Sequence, residues 1–204
     1  MQPTHDVKTS AYYAGNAEEY YRKTVGVDMS RLYEPFESRL RPGARVLDLG
    51  SGSGRDARHF AGHGHNVVAL DPCLELHEVA HEHTPEKIRE RILYVVGRAP
   101  ELAFASGQFD GVWAIAALLH LPRDEMRGAL AACMRVMTPG GVLALSMKEG
   151  AGEIDDGTRR YTLWRMPDLL QVVYDAELKP THSSVEPSLD GRDINWLYIL
   201  ATPA

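Results

Sequence analysis

Apolar residues along this chain fall into short, near-continuous runs separated by stretches of helical periodicity. Arg45–Gly50 is an apolar run that ends in glycines, and Asn66–Asp71 repeats the form but ends in an acid. Ile92–Gly97, Phe109–Ala116 and Gly141–Met147 supply three more runs that read as buried strands. Between them lie helical candidates around 55–63, 73–83, 123–137 and 166–176. Pro122 opens the third of these, and Thr138-Pro139-Gly140-Gly141 stops it. Buried strands alternating with helices predict a parallel sheet covered on both faces. The end of the chain breaks the pattern. Thr181–Glu186 and Ile194–Ala201 are separated only by a loop containing Pro and Gly, which predicts a hairpin and an antiparallel edge. Residues 6–40 read as two helices without a strand partner. The expected fold is α/β, a doubly wound, mostly parallel seven-stranded sheet with an antiparallel C-terminal hairpin strand. Residues 1–40 are expected to form a helical lid belonging to the same domain as residues 41–204.

Composition narrows the possibilities. A chain of 204 residues, 44% hydrophobic and 25% charged, suits one domain that buries its own core. A net charge of −6 argues against a broad phosphate-binding surface, so nucleic acid is not an expected partner. Cys73 and Cys133 are the whole cysteine complement, which fits a reducing compartment. The start of the chain lacks an apolar core of signal-peptide type, and no apolar run reaches spanning length. The expectation is a cytoplasmic protein without a membrane partner.

The first strand runs directly into Asp48-Leu49-Gly50-Ser51-Gly52-Ser53-Gly54-Arg55-Asp56. Glycines at a strand-to-helix turn let backbone approach a ligand where a side chain would collide. Asp71, 21 residues beyond Gly50, ends the next strand, where an acid can accept from ribose hydroxyls. Two cofactors compete for this turn. Gly52–Ala57 fits G-x-G-x-x-A, the variant dinucleotide pattern of a nicotinamide-dependent oxidoreductase, with pyrophosphate on the helix N-terminus. Asp48, an acid inside the strand end, would repel a diphosphate and suits an ammonium group such as that of S-adenosylmethionine.

The segment VLDLGSGSGRDARHFAGHGHNVVALDP resembles the first two motifs of class I S-adenosylmethionine-dependent methyltransferases. FDGVWAIAALLHLP and MRVMTPGGVLALSMKEG resemble their fourth- and fifth-strand segments, so the likeness covers roughly residues 44–148. Small bacterial enzymes of the tellurite-resistance type share the GSGRD form and the Tyr-rich start. The resemblance implies a Rossmann-like methyltransferase fold, S-adenosylmethionine as cofactor and a small-molecule acceptor. It places Gly50, Ser51 and Gly52 along the methionine part, with Asp48 near the amino group. Asp71 would take the ribose hydroxyls, Pro72 would lie against adenine, Ala99 would offer backbone to the adenine edge, and Ala114 a carbonyl to the amine. Arg98 stands where the family often carries an acid. An Arg cannot accept the adenine amino proton, so that contact falls to backbone or to another acid.

Methyl transfer needs an in-line nucleophile more than acid–base groups, and a base only when the nucleophile carries a proton. Five tyrosines lie within residues 12–33, and Tyr12 and Tyr20 are the candidates to contact cofactor or acceptor, against packing of the N-terminal helices. Arg55 is read either as a partner of the methionine carboxylate or as a surface ion pair. The loop 148–164 carries Lys148, Arg159, Arg160, Tyr161 and Trp164, which suit an anionic or aromatic acceptor. Glu153, Asp155 and Asp156 in the same loop allow a self-neutralised surface instead. Arg192, Asn195 and Trp196 approach from the last strand. His120 is the general-base candidate, with a packing histidine before Pro122 as the alternative. A non-catalytic S-adenosylmethionine-binding module remains the other reading. His77-Glu78-Val79-Ala80-His81 spells H-E-x-x-H, but it falls on a covering helix without an evident third ligand, so no metal is expected there. His63 and His65, flanked by glycines, read as a solvated turn.

Overall fold

The computed structural model describes residues 5–204. The strands β1 (Arg45–Leu49), β2 (Asn66–Asp71), β3 (Ile92–Val96), β4 (Phe109–Ile115) and β5 (Met137–Lys148) are mutually parallel. Two short strands, β6 (Glu153–Asp155) and β7 (Arg160–Thr162), form a separate antiparallel ribbon after β5. The chain closes with β8 (Leu178–Pro187) and β9 (Asn195–Pro203), antiparallel to each other, β9 also to β5. The sheet order is β3-β2-β1-β4-β5-β9-β8, so the expected seven-stranded sheet and its antiparallel C-terminal edge are both present. Strand order reverses between β1 and β4. The carboxyl ends of these two strands therefore flank a crevice, the place where open α/β sheets bind ligands.

The helices α1 (His5–Gly15), α2 (Ala17–Thr24) and α3 (Ser30–Glu37) precede the sheet. The sequence pattern predicts two helices here and the structure forms three. The turn at residues 25–29 separates α3, whose apolar face is buried, from the more polar α2. Residues 1–4 of the expected 1–40 segment lie outside the described residues. Helices α4 (Arg55–Gly62), α5 (Leu74–Glu82), the single turn α6 (Glu86–Arg89), α7 (Met126–Val136) and α8 (Met166–Asp175) follow. The Pro-Gly-Gly stretch is not a break before β5. Phe109 pairs with Met137 and Gly111 with Val142, so the extra residues of β5 are taken up as an irregularity in the ladder.

Both faces of the sheet are buried, as continuous apolar strands require. Leu47, Leu49, Val112 and Leu143 pack against α7 and α8 through Met126, Leu130, Leu169 and Val173. The opposite face carries Val46, Val67 and Trp113, covered by Phe36 of α3 and Phe60 of α4. Gly111 makes room for this: a Cβ there would lie 2.6 Å from the Phe36 ring. The Tyr198 hydroxyl in β9 donates to the Leu32 carbonyl at 3.1 Å, a second tie between α3 and the sheet.

Phe36 is fully buried, so Phe36→Ala leaves a cavity under Trp113. The expected destabilisation is about 3–5 kcal/mol, read as a lower urea midpoint with an unchanged slope. A loss below about 1 kcal/mol would show that α3 does not contribute to the core as described.

Candidate active site

The crevice at the carboxyl ends of β1 and β4 divides into two chambers that share Tyr13, Tyr20, Gly50 and Ala116 as walls. The smaller, about 140 Å³, is lined by Gly52, Asp71, Pro72, Ala99 and Leu118. The larger, about 560 Å³, extends past Ser51, Arg55 and Tyr12 to Lys148, Arg159 and Tyr161. That volume falls in the range of small-molecule sites.

The turn after β1 is built for close approach. Gly50 has φ of +70°, and a Cβ on it would lie 2.6 Å from the Ala117 Cβ. The Gly50 and Ser51 N–H groups both donate to the Leu70 carbonyl, at 2.8 and 3.1 Å, which binds the turn to the end of β2. There the Asp71 carboxylate accepts from the N–H groups of Gly52 and Cys73, each at 2.9 Å. Burial nevertheless pushes Asp71 up to about 6, with these two donors opposing the shift. A carboxylate with two accepted bonds still has lone pairs for two more donors. A buried acid facing a narrow chamber beside Pro72 and Leu118 fits a ribose and a flat base.

Two expected contacts change place. Asp48 lines neither chamber: its carboxyl accepts from the Ala57 N–H at the start of α4, and Oδ2 is buried without a partner. Burial first, then repulsion from Asp56, holds Asp48 well above the carboxylate range. Period-two alternation along β1 turns it toward α4, so it does not present a charge to the cleft. Ala114 is likewise buried inside β4, and the backbone that reaches both chambers is Ala116, at φ of +53°. A non-glycine residue held there costs about 1–3 kcal/mol, and such strain clusters at functional sites. Ser146 supports it, its hydroxyl accepting from the Ala116 N–H at 2.9 Å.

Arg55 is neither a surface pair nor unattached. Its guanidinium grips the Asp56 carboxylate through Nε at 2.6 Å and Nη2 at 2.9 Å while lining the larger chamber. Burial alone would raise Asp56, but Arg55 and the donors Tyr33 and Trp113 overcome it and hold the carboxylate charged.

Tyr13, which the sequence reading did not single out, joins the N-terminal helices to the far wall. The Arg160 carbonyl can only accept, so His120 Nδ1 donates to it, at 2.6 Å. The Nε2 lone pair then accepts from the Tyr13 hydroxyl at 3.1 Å, and Arg159 hydrogen-bonds to Tyr13 in turn. His120 thus sits at the smaller chamber with both ring nitrogens engaged, and Tyr13 lies between it and the larger one. Burial, with Arg159 and Lys148 adding to it, pushes His120 down to about 4. Arg159 also lies 4.1 Å above the Tyr12 ring, and Lys148 Nζ lies 3.4 Å above the Tyr161 ring. Burial, then Arg192 and Arg159, pushes Lys148 down to about 8.

The rest of the loop separates. Arg160 pairs with Glu153 across the β6–β7 ribbon and does not line the larger chamber. Trp164 is buried under Arg123, 3.9 Å from its ring centre, and packs in the core. Arg192 and Trp196 do line the chamber, while Asn195 is bonded to Glu149. In the H-E-x-x-H stretch, the buried His77 Nε2 lies 3.3 Å from Ser51 Oγ, whereas His81 is exposed.

A crevice at the switch point, a glycine turn and a buried acid ending β2 are the features of a Rossmann-like sheet that suit a nucleoside cofactor. Residues 47–145 match the family described as a methyltransferase domain. The chain is 30% identical over 138 residues to a sterol 24-C-methyltransferase of Yarrowia lipolytica, covering 67% of this chain and 34% of that one. In fold it is similar to the 1,6-didemethyltoxoflavin-N1-methyltransferase of Burkholderia thailandensis, with TM-score 0.81, 22% identity and coverage of 100% and 92%. A TehB-like S-adenosylmethionine-dependent methyltransferase of Corynebacterium glutamicum gives TM-score 0.68 at 21% identity, with coverage of 95% and 100%. Through this domain the chain belongs to the class I S-adenosylmethionine-dependent methyltransferases. It spans roughly a third to two thirds of the length of the curated relatives it matches. Among the described residues, no helix is long and apolar enough to cross a membrane.

A histidine pushed below its ordinary value adds stability that is complete above about pH 6.5 and lost as pH falls toward 4. The His120 ring resonances are therefore expected to stay constant between pH 8 and 5 in a two-dimensional NMR titration. A midpoint near 6.5 would show that the Tyr13–His120–Arg160 chain does not form in solution.

Proposed function

We propose that this protein transfers the methyl group of S-adenosylmethionine to a small molecule that carries an anionic or electron-rich group. The carrying observation is the continuity of the two chambers at Gly50, which joins a nucleoside-shaped recess to a cation-lined cavity. When bound, the cofactor supplies a methyl carbon made electrophilic by its sulfonium. Everything else falls to the chain. Asp71 accepts from the ribose hydroxyls, Pro72 and Ala99 border the adenine, and Gly52 lies beneath the sugar. Gly50 and Ser51 follow the methionine part, with the remaining donors of Arg55 toward its carboxylate. Ala116, not Ala114, offers the strand-end carbonyl.

The acceptor occupies the larger chamber. Lys148 and Arg159 orient its negative group, with Arg192 at the rim, while Tyr161 and Trp196 provide flat walls. Arg160 leaves the clamp because Glu153 holds it. Orientation supplies most of the acceleration. For an acceptor that carries a proton, Tyr13 is the group within reach, and its own O–H already points at the neutral His120. The segment 1–40 acts as a lid through Tyr12, Tyr13 and Tyr20. An acceptor admitted under such a lid must be small, and neither nucleic acid nor a membrane surface enters the reading.

Calorimetry is expected to show binding of S-adenosylmethionine and its demethylated product but not of NAD or NADP. Tighter binding of NADP would overturn the reading. Asp71→Ala should lose at least tenfold in cofactor affinity, because charge-assisted bonds contribute about 1.5–3 kcal/mol each. In the wild type, affinity should fall by up to about tenfold per pH unit below about 6, where the raised Asp71 gains its proton. A flat profile from pH 7 to 5 would move the ribose contact elsewhere.

The acceptor side is checked by a methylation screen of matched compounds with and without a carboxylate. Lys148→Met should raise KM at least tenfold for the acidic members and far less for their neutral partners. For the wild type, KM for acids should climb above about pH 8, as Lys148 loses its proton. Equal effects on both sets would remove the clamp.

A further inference from the structure

On the face of the molecule away from the cleft, four side chains from three places in the sequence converge. Glu37 ends α3, His59 lies in the last turn of α4, His63 follows it, and His65 precedes β2. None of the four lines either chamber. The Glu37 carboxylate lies between the rings: Oε2 is 2.9 Å from His59 Nε2, and Oε1 is 2.9 Å from His63 Nδ1 and 3.7 Å from His65 Nε2.

We propose that Glu37, His59 and His63 form a binding site for a zinc-type divalent transition-metal ion, with His65 beside it. Histidines four apart on a helix share one face, so a single ion can bridge His59 and His63. Two imidazoles with one carboxylate are a donor set suited to zinc and its neighbours, not to calcium or magnesium, and leave a fourth position open. Tetrahedral donors about 2.0–2.1 Å from zinc stand about 3.3 Å from one another, and Glu37, His59 and His63 each offer a ligand atom within 4.8 Å of the others.

His65 stands beside the cluster: it is buried, its Nε2 lies 3.7 Å from Glu37, and its Nδ1 has no hydrogen-bond partner. A cation between His59 and His63 would engage both rings and the carboxylate together. In the arrangement shown, His59 and His63 donate N–H to Glu37. On metal binding those nitrogens present lone pairs, and each ring carries its proton on the other nitrogen.

The surroundings suit a prebuilt site. The Tyr33 ring stacks on His59 with centroids 3.5 Å apart and planes 11° apart, fixing that imidazole. His63, with 55% of its side chain exposed, leaves a path of entry. An ion here would tie the end of α3 to the end of α4. The inference is independent of the methyl-transfer reading, since it uses no residue of the cleft.

The test is calorimetric titration of the full chain with zinc chloride, together with the visible spectrum of the cobalt(II) complex. Expected are one zinc per chain, cobalt bands of tetrahedral intensity and a rise in melting temperature with zinc. His63→Ala changes an exposed residue and should fold normally, but weaken zinc at least tenfold; His59→Gln should do the same. His81→Ala, in the H-E-x-x-H stretch, should bind zinc as the wild type does. Absence of saturable one-to-one binding would overturn the proposal. So would full affinity in His63→Ala, or its loss in His81→Ala.

Discussion

The buried carboxylate of Asp56 is the constraint around which this molecule is arranged. It sits in the first turn of α4, where the exposed N–H groups of the helix favour an anion. Tyr33 of α3 donates to it at 2.5 Å, Trp113 of β4 at 2.8 Å, and Arg55 holds it through two nitrogens. A buried charge is tolerated only when its lone pairs are filled, and here the donors come from three different layers. The N-terminal helices, the switch-point strand and the glycine turn must all be in register for this one side chain to be satisfied. Arg55 could not face the cleft as a fixed cation without it.

The same logic runs across the opening of the cleft. Arg159, Tyr13, His120 and the Arg160 carbonyl form a chain whose direction is fixed by the carbonyl at its end, and Arg159 also pairs with Asp156. Hydrogen-bonded chains of this kind rigidify what they connect. They join α1 to the β6–β7 ribbon, so segments far apart in sequence present one wall. Lys148 then stands over the Tyr161 ring, and Arg159 over the Tyr12 ring while Asp156 pairs with it at 3.4 Å, so part of the positive charge they bring to the cavity of an acidic protein is offset.

Much of the fold was legible because parallel strands buried on both faces write long apolar runs, and their order along the chain follows the resemblance. Gly50, Asp71 and Pro72 were legible for a related reason: backbone demands a glycine or ends a strand at a fixed place. What escaped was side-chain direction. Asp48 and Ala114 were assigned to the cleft because they belong to motifs, yet the pleat turns Asp48 toward α4, and β4 continues to Ile115 before the backbone opens. Trp164 and Arg160 lie in a loop whose hidden two-stranded ribbon pairs Arg160 with Glu153 and sends Trp164 inward. Tyr13 adjoins Tyr12, and only the tertiary fold separates their roles. His63 and His65 read as a turn because Glu37, the residue that gathers them, is far away in sequence.

Tyr33 shows how these parts become one system. Its hydroxyl is given to Asp56 at the start of α4, and its ring face to His59 near the end of the same helix. One side chain of α3 therefore grips α4 at both ends, the end beside the cleft and the end beside the histidines. An eight-residue helix is too short to be stable alone, so its orientation is set by what holds it. Trp113 packs on the same ring and donates to the same carboxylate, adding the sheet as the third support. The angle at which Arg55 enters the crevice is thus decided in part by Tyr33, in a segment that precedes the first strand.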